Sequence, residues 1–139
     1  IPIAGWHGLR AGFVPVDRGK RGAAIKKMLN DVESGTTGPG QIIIYPQGTR
    51  TAPGHHMPYK KGTAALYSQL GQRCIPVATN VGVFWPRHGI YRKPGLAVLE
   101  FLPAIPPGLS NEAFMSRLES EVETASNRLM AEAGFHQKG

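Results

Sequence analysis

A five-residue turn, Pro46-Gln47-Gly48-Thr49-Arg50, carries side chains that suit the binding of an anion. An arginine guanidinium is a rigid fork of donors that matches phosphate or carboxylate. Gln47 and Thr49 add hydrogen-bonding groups, and Gly48 would let the backbone approach a bound molecule closely. The alternative interpretation is an ordinary strand-to-loop turn with a solvated arginine, since short turn motifs also arise by chance.

An apolar run leads into this turn. Ile42, Ile43, Ile44 and Tyr45 are β-branched or aromatic and lie between turn residues, which predicts a buried strand. Pro46 would then end the strand. The turn is therefore expected at the carboxyl end of a strand, where open α/β sheets usually bind ligands.

Strand-like and helix-like segments alternate along the rest of the chain. Strands are predicted over 13–16, 74–83 and 96–102, and helices over 23–32, 64–70 and 110–133. The segment 51–59, rich in Pro, Gly and His, is predicted to be a loop. This alternation indicates an α/β layered fold.

The helix over 110–133 is the longest and the most regular. Ser110 can cap its start and Gly134 can end it. Apolar residues recur every three or four positions on one face, which predicts a helix that packs a core rather than one that forms a site; they are Phe114, Leu118, Val122, Ala125 and Leu129.

The composition fits a single modest domain of 139 residues with 41% hydrophobic residues. No apolar run approaches the length that spans a bilayer, so a transmembrane segment is not expected in this piece. Cys74 is the only cysteine, which excludes an intramolecular disulfide. His55 and His56 are adjacent but have no acid or cysteine at ligand spacing, so no metal site is expected.

Basic residues are concentrated towards the amino-terminal side. Residues 1–99 contain 13 lysines and arginines against three acids, residues 100–139 contain three against six, and the formal net charge is +7. Such a surface attracts an anionic partner, for example a phospholipid surface, a phosphorylated substrate or a nucleic acid. Plain solubility is the alternative explanation for about half of these side chains.

Several short blocks, in order along the chain, resemble those of the glycerolipid acyltransferases, the family of 1-acylglycerol-3-phosphate acyltransferases. The turn at 46–50 is similar to the family's Pro-Glu-Gly-Thr/Ser-Arg block. The other matching blocks are Gly12-Phe13-Val14-Pro15-Val16-Asp17-Arg18, Lys60-Lys61-Gly62, Cys74-Ile75-Pro76-Val77-Ala78, Phe84-Trp85-Pro86-Arg87 and Pro94-Gly95. Together they cover nearly the whole chain. The resemblance implies a layered α/β fold with a mixed sheet flanked by helices.

The family's catalytic block, His-x-x-x-x-Asp, does not occur in this sequence. The only aspartates are Asp17 and Asp31, and the residues five positions before them are Gly12 and Lys26. The chain also begins without methionine, at a point that the resemblance places inside the domain. We therefore expect residues 1–139 to be the C-terminal portion of a single acyltransferase domain, truncated at its N-terminal side and without a catalytic residue of its own.

The activity implied by the resemblance belongs to phospholipid biosynthesis. A fatty acyl group moves from a thioester, acyl-CoA or acyl carrier protein, to lysophosphatidate and gives phosphatidate. No cofactor is implied beyond this acyl donor. The partners implied are a lysophospholipid acceptor, the acyl thioester and a membrane surface, without nucleic acid, at the cytoplasmic face of the bacterial inner membrane. The fragment alone is expected to be inactive.

By the same resemblance this chain holds the acceptor-binding residues. Arg18 occupies the position of the arginine that binds the acceptor phosphate in the family; its alternative is a surface arginine paired with Asp17 or Asp31. The resemblance also implies a binding role for Lys61, and its neighbour Lys60 is the alternative for that role. The substrate-binding set implied is Arg18, Gln47, Gly48, Thr49, Arg50 and Lys61.

Gln47 departs from the family pattern, which usually has glutamate at this position. Glutamine keeps the size and a carbonyl acceptor, loses the negative charge and gains two donors. It can hydrogen-bond a hydroxyl but cannot act as a base. The acceptor is therefore expected either to differ from lysophosphatidate or to bind without this carboxylate.

Two alternatives to the lysophosphatidate acyltransferase remain open. One is an acyltransferase for another lysolipid, such as a lyso-ornithine lipid. The other is a non-enzymatic basic module that binds anionic membrane or nucleic acid by charge, and its affinity would fall steeply and uniformly with salt.

Overall fold

The computed structural model describes residues 42–86 and 90–136, together with Asn30. The chain divides into two compact units, 1–43 and 44–139. The strands and helices described below all belong to the second unit. One further helical residue, Asn30, belongs to the first. The predicted strand over 13–16 and helix over 23–32 lie outside the described residues, except for Asn30, which is helical.

The second unit is a small mixed α/β arrangement. Its two strands pair antiparallel, with Val77 opposite Phe101 and Thr79 opposite Leu99. An antiparallel bridge between Cys74 and Ile105 continues the pairing beyond the strands. The elements, in chain order, are α1 (Gly62–Leu70), β1 (Val77–Thr79), α2 (Val81–Phe84), β2 (Leu99–Phe101) and α3 (Asn111–Glu132).

The long amphipathic helix is confirmed as α3. The Ser110 side chain accepts a hydrogen bond from the Ala113 N–H and caps the first turn. Gly134, just past the end of the helix, has a φ of +78°, which glycine adopts without strain. The predicted apolar face is buried at Phe114, Leu118, Ala125 and Leu129, and Val122 is partly buried.

The core lies between α3 and the elements that precede it. The Phe114 ring stacks on the Tyr67 ring of α1, with centroids 3.8 Å apart and planes within 4°. The Tyr67 hydroxyl donates to the Pro106 carbonyl and accepts from the Leu109 N–H, so this buried hydroxyl is satisfied. On the sheet side, Ala78 of β1 packs with two α3 residues, Ala125 and Leu129.

The predicted strand over 42–45 is wrong. These residues form no strand, and their side chains are exposed, with 76% exposure at Ile43 and 79% at Tyr45. An extended segment becomes a strand only when a neighbour pairs its backbone groups. Within the described residues the sheet has two strands, and neither pairs with this segment. β-branched composition alone therefore did not create a strand here.

The predicted strand over 74–83 is only partly correct, because β1 ends at Thr79 and α2 follows. Buried Asn80 is the reason. Its Oδ1 accepts from the Val98 N–H at 2.8 Å, and its Nδ2 donates to the Leu96 carbonyl at 3.3 Å. The side-chain amide thus takes hydrogen bonds that the next backbone pair of a ladder would make. A second contact, from Nδ2 to the Leu129 carbonyl at 3.3 Å, ties this strand end to α3.

The remaining boundaries moved by a few residues. The helix predicted over 64–70 begins at Gly62, and the strand predicted over 96–102 is confined to Leu99–Phe101. The predicted loop over 51–59 is confirmed, since it contains no helix or strand.

Candidate functional site

The predicted anion-binding turn is a hydrogen-bonded β-turn. The Gly48 N–H donates to the Tyr45 carbonyl at 2.9 Å. Gly48 has a φ of +69°, whereas no other type of residue in the described part has a positive φ. A negative φ at Gln47 with proline before it and glycine after it matches a type I turn. Pro46 and Gly48 therefore fix the direction in which Gln47, Thr49 and Arg50 leave the turn.

A backbone hydrogen bond joins this turn to the start of α1. The Lys60 N–H donates to the Pro46 carbonyl at 2.8 Å. A Cβ atom added to Gly48 would lie 3.7 Å from Lys60 Cγ, so the Lys60 side chain lies beside the turn. Lys61 is one residue further on, exposed, at the N-cap of α1. The structure therefore places Lys60, the alternative to Lys61, directly against the turn.

Gln47 is held by a neighbour in the same loop. The Thr51 hydroxyl lies 3.3 Å from Gln47 Oε1 and donates to it, and it lies 3.9 Å from Met57 Sδ. This bond uses one of the two lone pairs of the Gln47 carbonyl oxygen, and among the described residues none accepts from its amide nitrogen. Gln47 can therefore offer a ligand two N–H donors and one remaining acceptor lone pair.

Thr49 and Arg50 are exposed and follow directly after Gly48. They lie in a stretch of sequence, 34–99, that contains no aspartate or glutamate. The same stretch contains seven basic residues: Arg50, Lys60, Lys61, Arg73, Arg87, Arg92 and Lys93. Without a carboxylate nearby in sequence, the turn is suited to an anionic group.

The loop after the turn is anchored on α3 by two side-chain contacts. His56 Nε2 lies 2.7 Å from Glu119 Oε1, and the Tyr59 hydroxyl donates to Glu123 Oε1 at 2.9 Å. Burial, followed by the charge and hydrogen bond of Glu123, raises the pKa of Tyr59 well above its ordinary value. Tyr59 therefore stays protonated and acts as a structural donor.

A shallow groove of about 370 Å³ runs along α3 beside these anchors and does not include the turn. Its lining contains two carboxylates and no lysine or arginine, so it does not suit an anionic acceptor; it is made of His56, Ser116, Glu119, Ser120, Glu123, Thr124 and Asn127. Among the described residues no group of His, Cys, Asp or Glu is placed to hold a metal ion. None of the described helices has the length and apolarity needed to cross a membrane.

The structure thus brings part of the predicted set together. Gln47, Gly48, Thr49 and Arg50 share one turn, with Lys60 against it. Arg18 and the whole 12–18 block lie outside the described residues. Sequence reasoning missed Thr51, whose only signal is a hydroxyl four residues after Gln47 in a loop.

Comparisons with known proteins bear on this arrangement. The acyltransferase family model matches residues 1–80, more than half of the chain. A 1-acyl-sn-glycerol-3-phosphate acyltransferase of Pseudomonas aeruginosa is 25% identical over 132 residues, 95% of this chain and 51% of that protein. Proteins of the same name from Limnanthes alba and Limnanthes douglasii are each 31% identical over 106 residues, 75% of this chain and 37% of theirs.

The chain therefore spans about half, or less, of the length of these curated relatives. No solved structure matches it. The family match covers the 12–18 block, the turn, Lys60-Lys61 and the 74–78 block; the blocks at 84–87 and 94–95 lie beyond it. The chain belongs to the acyltransferase family.

Proposed function

We propose that the whole protein transfers a fatty acyl group from a thioester, acyl-CoA or acyl carrier protein, to lysophosphatidate and so makes phosphatidate. This chain would supply the acceptor-binding part of a single domain with a layered α/β fold. The proposal is supported by the family match and by relatives whose names state this acceptor.

The contact between Lys60 and Pro46 is the observation that carries the proposal. It holds the ammonium-bearing residue beside the turn that presents Arg50. One cation that follows the turn and a second beside it suit the phosphate of an acceptor better than an uncharged headgroup. Arg18 would add a third cation, as the resemblance implies.

The chemistry assigns only binding to these residues. The acceptor hydroxyl oxygen attacks the thioester carbonyl carbon, the carbon–sulfur bond breaks, and the thiol leaves. A general base must take the hydroxyl proton, and the resemblance gives that role to the histidine of the His-x-x-x-x-Asp block. The residues of the turn would orient the acceptor so that its hydroxyl reaches the thioester.

Gln47 supports a second candidate acceptor. Its amide N–H groups have no acceptor among the described residues, so it would offer donors where the family's glutamate offers only acceptors and a charge. A donor suits an acceptor with an additional oxygen acceptor in its headgroup. Another lysolipid, such as a lyso-ornithine lipid, is therefore the second candidate.

A lysophospholipid acceptor would place the protein at a membrane surface. The cytoplasmic face of the bacterial inner membrane is the proposed location, since acyl-CoA and acyl carrier protein are intracellular donors. The net charge of +7 favours an anionic lipid surface.

The test is thiol release from an acyl thioester by the whole protein, with a panel of acceptors. Lysophosphatidate, its dephosphorylated analogue and a lyso-ornithine lipid are compared at equal concentration. Release that requires the phosphate supports the proposal. Release that prefers the lyso-ornithine lipid supports the second candidate, and no release with any acceptor contradicts both.

A further inference from the structure

A second feature of the described unit is an exposed apolar and basic surface next to α2, which we call the Trp85 surface. Ile90 and Tyr91 are each 84% exposed, Leu96 is 78% exposed and Trp85 is 54% exposed. The surface consists of Trp85, Ile90, Tyr91, Arg92, Lys93 and Leu96. So many large exposed apolar side chains within one segment are unusual for a surface that faces only water.

The surface is fixed to the fold. The Lys93 N–H donates to the Phe84 carbonyl at 3.0 Å, and a Cβ atom on Gly95 would lie only 2.0 Å from Phe84 Cε1. Backbone and ring are thus packed so closely that a side chain at this point would force the Phe84 ring to move. The Leu96 carbonyl accepts from buried Asn80. The returning segment is therefore held on both sides of Pro94.

The Trp85 surface also contains a contact between a cation and an aromatic ring. The Arg92 guanidinium carbon lies 4.3 Å from the centroid of the Trp85 ring, a cation–π distance. Lys93 follows directly and is exposed. The stretch 34–99, which contains the whole surface, has no aspartate or glutamate. The surface is therefore apolar and positively charged together.

We propose that the Trp85 surface docks on an anionic phospholipid bilayer. Tryptophan and tyrosine favour the boundary between headgroups and acyl chains. Lysine and arginine bind anionic headgroups, and isoleucine and leucine can insert below them. Nucleic acid is the less suitable partner, because bases could stack on Trp85 and Tyr91 but not on the aliphatic Ile90 and Leu96, whereas a bilayer accommodates all four.

Docking at this surface goes beyond the proposed acyl transfer. It draws on that proposal only for its biological purpose, since a lysophospholipid acceptor is found in membranes. Docking itself requires no acyl donor and no turnover, so it is measured separately from activity.

The first experiment is co-sedimentation of the chain with vesicles of phosphatidylcholine alone or mixed with phosphatidylglycerol. Binding is expected only when the anionic lipid is present. The double variant Trp85→Ala/Ile90→Ser should bind at least about tenfold more weakly, because two inserted side chains are lost. Phe101→Ser, at a position with 74% exposure that is not one of the residues of the Trp85 surface, should bind like the unchanged chain.

The charge is tested in the same way. Lys93→Gln should weaken binding to the anionic vesicles about fivefold, which corresponds to about 1 kcal/mol per basic residue near the surface. Arg73→Gln removes an exposed basic residue elsewhere and should have a smaller effect. Far-ultraviolet circular dichroism checks that each variant is folded. Equal losses in the two charge variants, or in the two apolar variants, would overturn the proposal.

A second measurement leaves the surface intact. The chain has two tryptophans, Trp6 and Trp85, so Trp6→Phe makes Trp85 the single emitter. On addition of anionic vesicles its fluorescence should shift to the blue and be quenched by lipids brominated along their acyl chains. Sedimentation without quenching would overturn the proposal, because Trp85 would then lie outside the bilayer.

Two further results separate the possible explanations. A single-stranded oligonucleotide that binds as tightly as the vesicles and displaces them would overturn the proposal in favour of nucleic acid. Vesicle binding with quenching, together with no acyl transfer by the whole protein, would support the docking surface and contradict the proposed function alone.

Discussion

The Lys60 N–H donates to the Pro46 carbonyl at 2.8 Å, and this bond fastens the turn to the start of α1. It joins residues of two separate sequence blocks, 46–50 and 60–62. Lys60 of the second block therefore helps to hold the first block in position, in addition to any contact that the lysines make with a ligand.

The turn itself depends on glycine at one position. Gly48 has a φ of +69°, and a Cβ atom there would be in ordinary contact, 3.7 Å, with Lys60 Cγ. The cost of Gly48→Ala is therefore conformational, and we expect a loss of about 1–2 kcal/mol in the free energy of unfolding. Gly48→Asn should lose less, since asparagine tolerates this region. Urea denaturation measures both; equal losses would show that the turn does not require this conformation.

The pair of Thr51 and Gln47 should control which acceptor is used. Gln47→Glu keeps an acceptor for the Thr51 hydroxyl but replaces the amide donor by a charge. We expect it to shift the ratio of kcat/KM between lysophosphatidate and a lyso-ornithine lipid by about fivefold or more. Thr51→Val removes the hydrogen bond to Gln47 and should lower kcat/KM about 2- to 10-fold, the worth of one neutral hydrogen bond. An unchanged ratio in Gln47→Glu would remove Gln47 from the acceptor site.

Phe114 should contribute more to stability than any exposed aromatic residue. It is 1% exposed and stacks on Tyr67, so Phe114→Ala should cost about 3–5 kcal/mol of unfolding free energy. Phe101→Ala removes the same side chain at a position with 74% exposure and should cost well under half as much. Thermal or urea unfolding of the two variants makes the comparison, and similar losses would contradict the assigned core.

Tyr59 should make the fold sensitive to alkaline pH. Burial and then Glu123 raise the pKa of Tyr59 from its ordinary value of 10.0, so above pH 10 the unfolded chain loses a proton that the folded chain keeps. The contribution of Tyr59 to the free energy of unfolding is therefore fully present below pH 10 and decreases as the pH rises further.

The matching variant is Tyr59→Phe, which loses the hydrogen bond to Glu123. It should be about 1 kcal/mol less stable at neutral pH, yet show a flatter decline above pH 10. Tyr45→Phe, at an exposed position, should change neither the level nor the slope. Unfolding midpoints from pH 7 to pH 11 provide the measurement; an identical slope in Tyr59→Phe would exclude this tyrosine as the cause.

Sequence periodicity predicted α3 nearly to the residue, because its cap, its apolar face and its terminal glycine all agree. It failed at 42–45, where strand composition without a pairing neighbour left exposed side chains. It also missed α2, since the hydrogen bonds of Asn80 to Leu96 and Val98 that end β1 are contacts between distant residues. Local patterns record propensity, whereas pairing is decided by the tertiary structure.

The candidate site was likewise predicted only in part from the sequence. The turn at 46–50 could be predicted from its proline and glycine, because each determines the backbone conformation at its own position. Which lysine lies against it was not, because Lys60 and Lys61 are chemically identical and only the backbone bond to Pro46 distinguishes them. Thr51 was missed for a related reason, since a hydroxyl in a loop does not reveal its acceptor.

The most direct test of the acceptor-binding account is phosphate discrimination at Arg18. Thiol release by the whole protein is measured with lysophosphatidate and with its dephosphorylated analogue, before and after Arg18→Ala, with Arg73→Ala as the matched control. We expect Arg18→Ala to lower kcat/KM for lysophosphatidate about 10- to 100-fold, the worth of charge-assisted phosphate contacts, and hardly to change it for the analogue. Equal losses for both acceptors, or an equal loss in Arg73→Ala, would contradict the acceptor-binding account.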